Sequence, residues 1–177
     1  MAEEQVILVD ADDRELGAMD KLAAHRKGGV LHRAFSVFIV DSRGRWLLQR
    51  RATDKYHFPG LWTNACCSHP RPGEDTAVAA HRRLREELGF DCPLAERFQF
   101  VYKAQSEVEQ LTEYEFDHVF TGLHEGDIHP DPTEVDAVRW VIPDHLVREV
   151  HDYPVHFTPW FKLALPRVKQ ALAGVRH

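Results

Sequence analysis

QVILVD, from Gln5 to Asp10, is apolar and β-branched, and the acidic, polar ADDREL follows it; the pair predicts a strand and then a turn. DKLAAHRKG predicts one short helical turn that stops at Gly28–Gly29. LHRAFSVFIVD is again apolar and β-branched and predicts a second strand. SRGR then predicts a turn and WLLQRR a returning strand, so that the two read as a hairpin. Between Thr53 and Pro72, prolines, glycines, aromatics and polar residues follow one another without a period. A loop this long in a compact domain is functional or disordered, and its Trp, Phe and Cys content speaks for function.

The clearest helix is EDTAVAAHRRLREELG. Pro72–Gly73 punctuates its start, and Glu74 and Asp75 suit its positive end. Ala77, Ala80, Leu84 and Leu88 form an apolar stripe, and Gly89 is placed to close it. RFQFVYKAQ, LTEYEFDHVFTGLH and DAVRWVI predict three further strands. PDHLVREVHD and PWFKLALPRVKQALAG predict two C-terminal helices, with Pro166 bending or dividing the second. Mixed strands with few helices make the expected class α+β, in one domain spanning residues 1–177.

Composition narrows the function. The chain has 177 residues, 44% hydrophobic and 28% charged, which is a globular balance with room for one core. No apolar run approaches membrane-spanning length, and the start, MAEEQVILVD, is acidic rather than basic. Three cysteines, two of them adjacent, make no disulfide framework, so the expected setting is the reduced cytoplasm. The net charge of -6 argues against a nucleic-acid partner. Within this acidic chain Arg50, Arg51 and Lys55 are clustered, and an inward basic cluster calls for an anionic ligand.

Two stretches carry candidate chemistry. TNACCSHP sets Cys66 and Cys67 beside Ser68 and His69, which reads as a buried turn, a nucleophile, a metal site or an acid/base thiol. On the central helix, Arg82–Glu86 and Arg83–Glu87 are i,i+4 pairs of the kind that line a solvated helix face. Alternatively, Glu74, Glu86 and Glu87 gather carboxylates for a hard cation such as magnesium, which keeps substrate phosphates in its shell.

SHPRPGEDTAVAAHRRLREELGF resembles the Nudix box, a loop–helix–loop motif that binds divalent metal beside a diphosphate; Glu74, Arg82, Leu84, Glu86, Glu87, Gly89 and Phe90 match it. Ser68 stands where the box begins with Gly, and Arg83 where the hydrolases place a metal-binding Glu. Over nearly its whole length the chain is similar to the type I isopentenyl diphosphate isomerases, through DKLAAHRKGGVLHRAFSVFI, LLQRRATDKYHFPGLWTNACCSHP, the modified box, LTEYEFDHVF and FTPWF.

That resemblance implies a Nudix-like mixed sheet flanked by helices, and conversion of isopentenyl diphosphate to dimethylallyl diphosphate. It implies a catalytic thiol at Cys67, with Glu115 and its neighbour Tyr102 as the proton donor on the other face. It gives His25, His32, His69, Glu113 and Glu115 to a site for zinc or manganese, and Glu87 to magnesium held with the substrate. Lys21, Arg51, Lys55 and Arg83 become diphosphate contacts, and Trp160 and Trp62 walls of an apolar pocket. Cys66 is expected to alternate away from Cys67 and pack, and Cys92 to be structural. A Nudix hydrolase and a zinc-stabilised binding module are the rival classes. The sequence fixes no oligomeric state, and a monomer is compatible with it.

Overall fold

The computed structural model describes residues 4–26, 28–106 and 108–173. Nine strands and four helices follow in the order β1 (Gln5–Val9), β2 (Glu15–Asp20), α1 (Lys21–His25), β3 (His32–Val40), β4 (Trp46–Arg51), β5 (Trp62–Thr63), β6 (Cys66–Ser68), α2 (Thr76–Leu88), β7 (Leu94–Ser106), β8 (Leu111–Leu123), β9 (Val135–Val141), α3 (Pro143–Asp152) and α4 (Pro159–Ala173), with a 3-10 turn at Pro154–His156. Among the described residues no helix is long and apolar enough to cross a membrane.

The organising strand is β3. It runs parallel to β8 over nine paired positions, from His32↔Glu115 to Val40↔Leu123. Its other edge is shared: β1 takes His32, β6 takes Phe35 to Val37, and β4 takes Val40. This corrects the expected hairpin. β3 and β4 meet only at Val40↔Trp46, because β6 already occupies the edge along which a hairpin would continue, and β4 pairs instead with β9.

The near-continuous apolar run of β3 is buried on both faces, as a parallel strand between helices should be. Phe35, Val37 and Ile39 pack with Ala79, Ala80, Leu84 and Leu88 of α2. Phe38 and Val40 pack on the opposite side with Leu146 of α3 and Trp160, Phe161, Ala164 and Leu165 of α4. The Asp75 carboxylate accepts from the first amides of α2, at Ala77 and Val78, and Gly89 ends the helix in the left-handed conformation with φ 71.

Two local expectations change. Residues 15–20 form β2, a full partner of β1, where the sequence suggested turn and gave no strand. β2 is an edge strand that buries none of its side chains, so it lacks the alternation that marks a strand. Pro166 lies inside α4 without dividing it. An interior proline costs about 3 kcal/mol, which the burial of Trp160, Phe161, Leu165 and Val168 offsets at roughly 1.5–3 kcal/mol each.

Candidate functional site

Strand register assembles the site. Parallel pairing sets His32 of β3 opposite Glu115 of β8. Antiparallel pairing sets Tyr102 of β7 opposite the same Glu115, and Cys67 of β6 opposite Ser36 of β3. Glu113 and Glu115, two apart on β8, share its inner face and are both buried. His25 ends α1 and His69 follows β6. One cavity of about 40 Å³ receives Cys67, His69, Tyr102, Glu113, Glu115 and Trp160 together with Lys21, Arg51, Lys55 and Arg83.

The imidazoles are prepared for a cation. One donor atom from each of His25, His32, His69, Glu113 and Glu115 lies within 4.8 Å of all the others. His25 Nδ1 donates to the Lys21 carbonyl at 2.6 Å, and His32 Nδ1 to the Val30 carbonyl at 2.7 Å. Those bonds fix the tautomers and leave each Nε2 lone pair pointing inward. His25 Nε2 lies 3.0 Å from Glu113, His69 Nε2 3.2 Å from Glu115, and the Nε2 atoms of His32 and His69 face one another at 3.3 Å. Burial, and then the charge of His25, lowers His32 to about 4; burial and His32 hold His69 well below its ordinary value. Inward-facing imidazole nitrogens and two carboxyl groups converging in this way fit a divalent metal ion.

The two glutamates are driven apart. Burial works against ionisation of Glu113, but His57, a hydrogen bond from Glu115 and His25 together outweigh it and hold its carboxyl well below the usual range. Burial, and then the charge on Glu113, push Glu115 well above it. Tyr102 donates its hydroxyl proton to Glu115 Oε1 at 2.7 Å. Across the cavity, burial and then the charge of Asp117 raise the Cys67 thiol to about 12. The surroundings thus push the two neighbouring carboxyls in opposite directions, the pattern that separates an acid from a base in one site.

The cations are already engaged. Lys21 pairs with Glu4 at 3.1 Å, and Lys55 pairs with Glu134. Arg83 reaches Glu86 at 2.7 Å, Glu134 at 3.5 Å and Glu87 at 3.6 Å. Arg51 donates to the His57 carbonyl at 3.2 Å and stacks over Trp160. The three box glutamates separate. Glu74 is committed to Arg82, at 2.8 and 2.9 Å, and Glu86 to Arg82 and Arg83. Only Glu87 turns inward and is buried, accepting from Cys66 Sγ at 2.9 Å and from Gln49 at 3.4 Å.

A NUDIX domain model matches residues 30–161. The isopentenyl-diphosphate Delta-isomerase 1 of Aromatoleum aromaticum is 51% identical over 166 residues, covering 94% of this chain and 93% of that protein. The chain belongs to the isopentenyl-diphosphate Delta-isomerase family. The isomerase of Halorhodospira halophila is 47% identical over 160 residues, covering 90% of this chain and 91% of its own. A crystal structure from Deinococcus radiodurans has a TM-score of 0.75 at 21% identity, over 93% of this chain and 98% of that one. A Caenorhabditis elegans Ap4A hydrolase complex has a TM-score of 0.59 at 17% identity, over 81% and 98%. The last two show the Nudix fold alone.

Measured against this isomerase-family site, two expectations change. Trp62 does not line the cavity; Arg50 and Arg139 lie over its ring, 5.6 and 4.4 Å from the centroid. Cys66 does alternate away from Cys67, but it does more than pack, since its thiol caps Glu87. The sequence reading missed His57, whose Nε2 pairs with Glu113, and Asn64, whose Oδ1 receives the Cys67 thiol at 3.1 Å. Both lie in the aperiodic loop 53–72, where the concentration of polar residues among aromatics was the only available signal.

Proposed function

We propose that this protein isomerises isopentenyl diphosphate to dimethylallyl diphosphate by protonation and deprotonation, with Glu115 and Cys67 as the two proton-transfer groups. The observation that carries the reading is that both line one small cavity that four cationic side chains also enter.

The diphosphate is assigned to Lys21, Arg51, Lys55 and Arg83, and it displaces the carboxylates that hold Lys21, Lys55 and Arg83. Bound there, it delivers a five-carbon alkene to the water-poor end of the cavity. Glu115, whose carboxyl burial and Glu113 push upward and Tyr102 orients, gives its proton to the terminal methylene carbon. The C=C electron pair forms the new C–H bond and leaves a tertiary cation on the neighbouring carbon. The indole of Trp160 stabilises that cation through its face. Cys67, acting as its thiolate from the other side, takes a proton from the methylene between the cationic carbon and the diphosphate-bearing carbon, and the released C–H pair closes the new double bond. In the reverse direction the roles exchange. Water is kept out because it would trap the cation as an alcohol.

His25, His32, His69, Glu113 and Glu115 are assigned to zinc or manganese, and Glu87 to magnesium completed by substrate phosphate oxygens. When bound, these ions supply electrostatic stabilisation of the carboxylates and neutralise the diphosphate. We read residues 1–177 as one functional unit. Its working thiol, and three cysteines that are all free, suit the reducing cytoplasm.

The test is product analysis after incubation with magnesium, manganese or zinc, and labelled isopentenyl diphosphate in heavy water. The expected product is acid-labile, because an allylic diphosphate ionises readily, and it carries deuterium from the exchanged donor. Release of inorganic phosphate without acid-labile product would replace this reading with hydrolysis. Neither signal, with all metals supplied, would leave a binding module.

A further inference from the structure

We infer that Thr63, Asn64 and Thr158 are positioning residues that hold the Cys67 thiol in a closed hydrogen-bonded ring, tying its placement to the start of α4. The inference rests on the role proposed above for Cys67.

The Asn64 amide and the Trp160 indole orient the short bonds of the ring, and Thr63 Oγ1 also lies 3.9 Å from Cys67 Sγ. Asn64 is fully buried, and its Nδ2 donates to the carbonyls of Val37 and Cys66, both at 2.9 Å. Two carbonyls on one side fix the amide, so Oδ1 must face the other way. There it accepts from Thr63 Oγ1 at 2.9 Å and from Cys67 Sγ at 3.1 Å. Thr63 has spent its proton, so Thr158 must donate to it, at 2.8 Å. The indole of Trp160 is donor only, and it donates to Cys67 Sγ at 3.1 Å. Thr158 and Trp160 are two residues apart at the head of α4, so the ring closes. The Thr158 amide also donates to the Trp62 carbonyl at 3.0 Å, which fastens the same segment to β5.

The consequence is geometric. In the resting thiol the hydrogen is directed at Asn64 Oδ1, and the sulfur accepts from the Trp160 indole. Without the Thr158–Thr63 link, the segment leading into α4 loses its side-chain bond to β5, and the indole–thiol contact loses that support. A shift of about 1 Å in a reacting group is enough to lower a rate roughly a hundredfold.

The experiment compares Thr63→Val/Thr158→Val with Thr63→Ser/Thr158→Ser. Removing both hydroxyls together leaves no orphaned donor between the two residues, so the valine pair is expected to fold. It should lose roughly tenfold or more in kcat, with KM for isopentenyl diphosphate within about twofold of the parent, because none of the four cations is touched. Iodoacetamide should alkylate its Cys67 several-fold faster, read by peptide mass. The serine pair, which keeps the hydroxyls, should match the parent in all three readouts. Full kcat in the valine pair, or an equal loss in the serine pair, would overturn the ring. Cys67→Ser serves as the control. If it keeps full turnover, the role of the thiol fails and the ring with it. If it is inactive while the valine pair is not, the ring alone fails.

Discussion

Replacing Tyr102 by Phe removes one oxygen from a buried ring and leaves its packing in place. That oxygen makes a 2.7 Å hydrogen bond to Glu115 Oε1, in a site where both residues are shielded from water. A hydrogen bond to a group that becomes charged contributes about 1.5–3 kcal/mol. Glu115 becomes charged only as it gives up its proton, so the loss falls on the transition state rather than on binding. At about 1.4 kcal/mol per tenfold, kcat should drop roughly 10- to 150-fold, with KM little changed. The pH profile gives an independent check. The hydroxyl favours the carboxylate form of Glu115, so its loss raises the pKa of that group further. The limb on which activity falls as the donor deprotonates should therefore move to higher pH. The assay is initial-rate isomerisation across pH, on variant and parent of equal Tm and metal content. An unchanged kcat, or a limb that moves to lower pH, would refute the assignment of Glu115 as a donor steered by Tyr102.

Two other outcomes are expected. Cys67→Ser should lose nearly all turnover, whereas Cys66→Ser should keep most of it, because a serine hydroxyl still donates to Glu87; equal losses with intact folding would mean the wrong thiol was chosen. His25→Ala or His32→Ala should lower the transition metal that co-purifies, measured by elemental analysis. In the parent that metal should leave as pH falls. His32 has its folded pKa lowered to about 4 from 6.5, so the stability it contributes is present above 6.5 and is lost as pH falls toward 4. Metal content unchanged in both His25→Ala and His32→Ala would contradict the imidazole ligand set.

The site was legible where chemistry follows local pattern. Glu113 and Glu115 alternate on a strand, and a period of two puts them on one face whatever else the chain does. The stripe and caps of α2 are equally local. What stayed hidden depends on pairing between distant strands. Nothing near SRGR says that β6, more than twenty residues on, will take the edge that a hairpin needs. Thr63, Asn64 and Thr158 are single polar residues in apolar surroundings. Their burial becomes intelligible only when three separate segments meet. The family resemblance pointed to the residues assigned to metal and phosphate, which periodicity could not. It was silent on Glu134 and Glu4, the acids that hold Lys55 and Lys21.

The parallel ladder between β3 and β8 constrains how chains of this kind can change length. A one-residue insertion between His32 and Ser36 would turn every later side chain of β3 to the opposite face. His32 would then no longer share a layer with the strand position facing Cys67, and the apolar set that packs on α2 would change places with the set that packs on α4. An insertion between Glu113 and Asp117 would have the same effect on β8. Residues 42–45 and 125–130 connect strands without entering the ladder, so growth or loss there leaves its phase intact. Drift in length among related chains belongs in those connections, while the strands keep count.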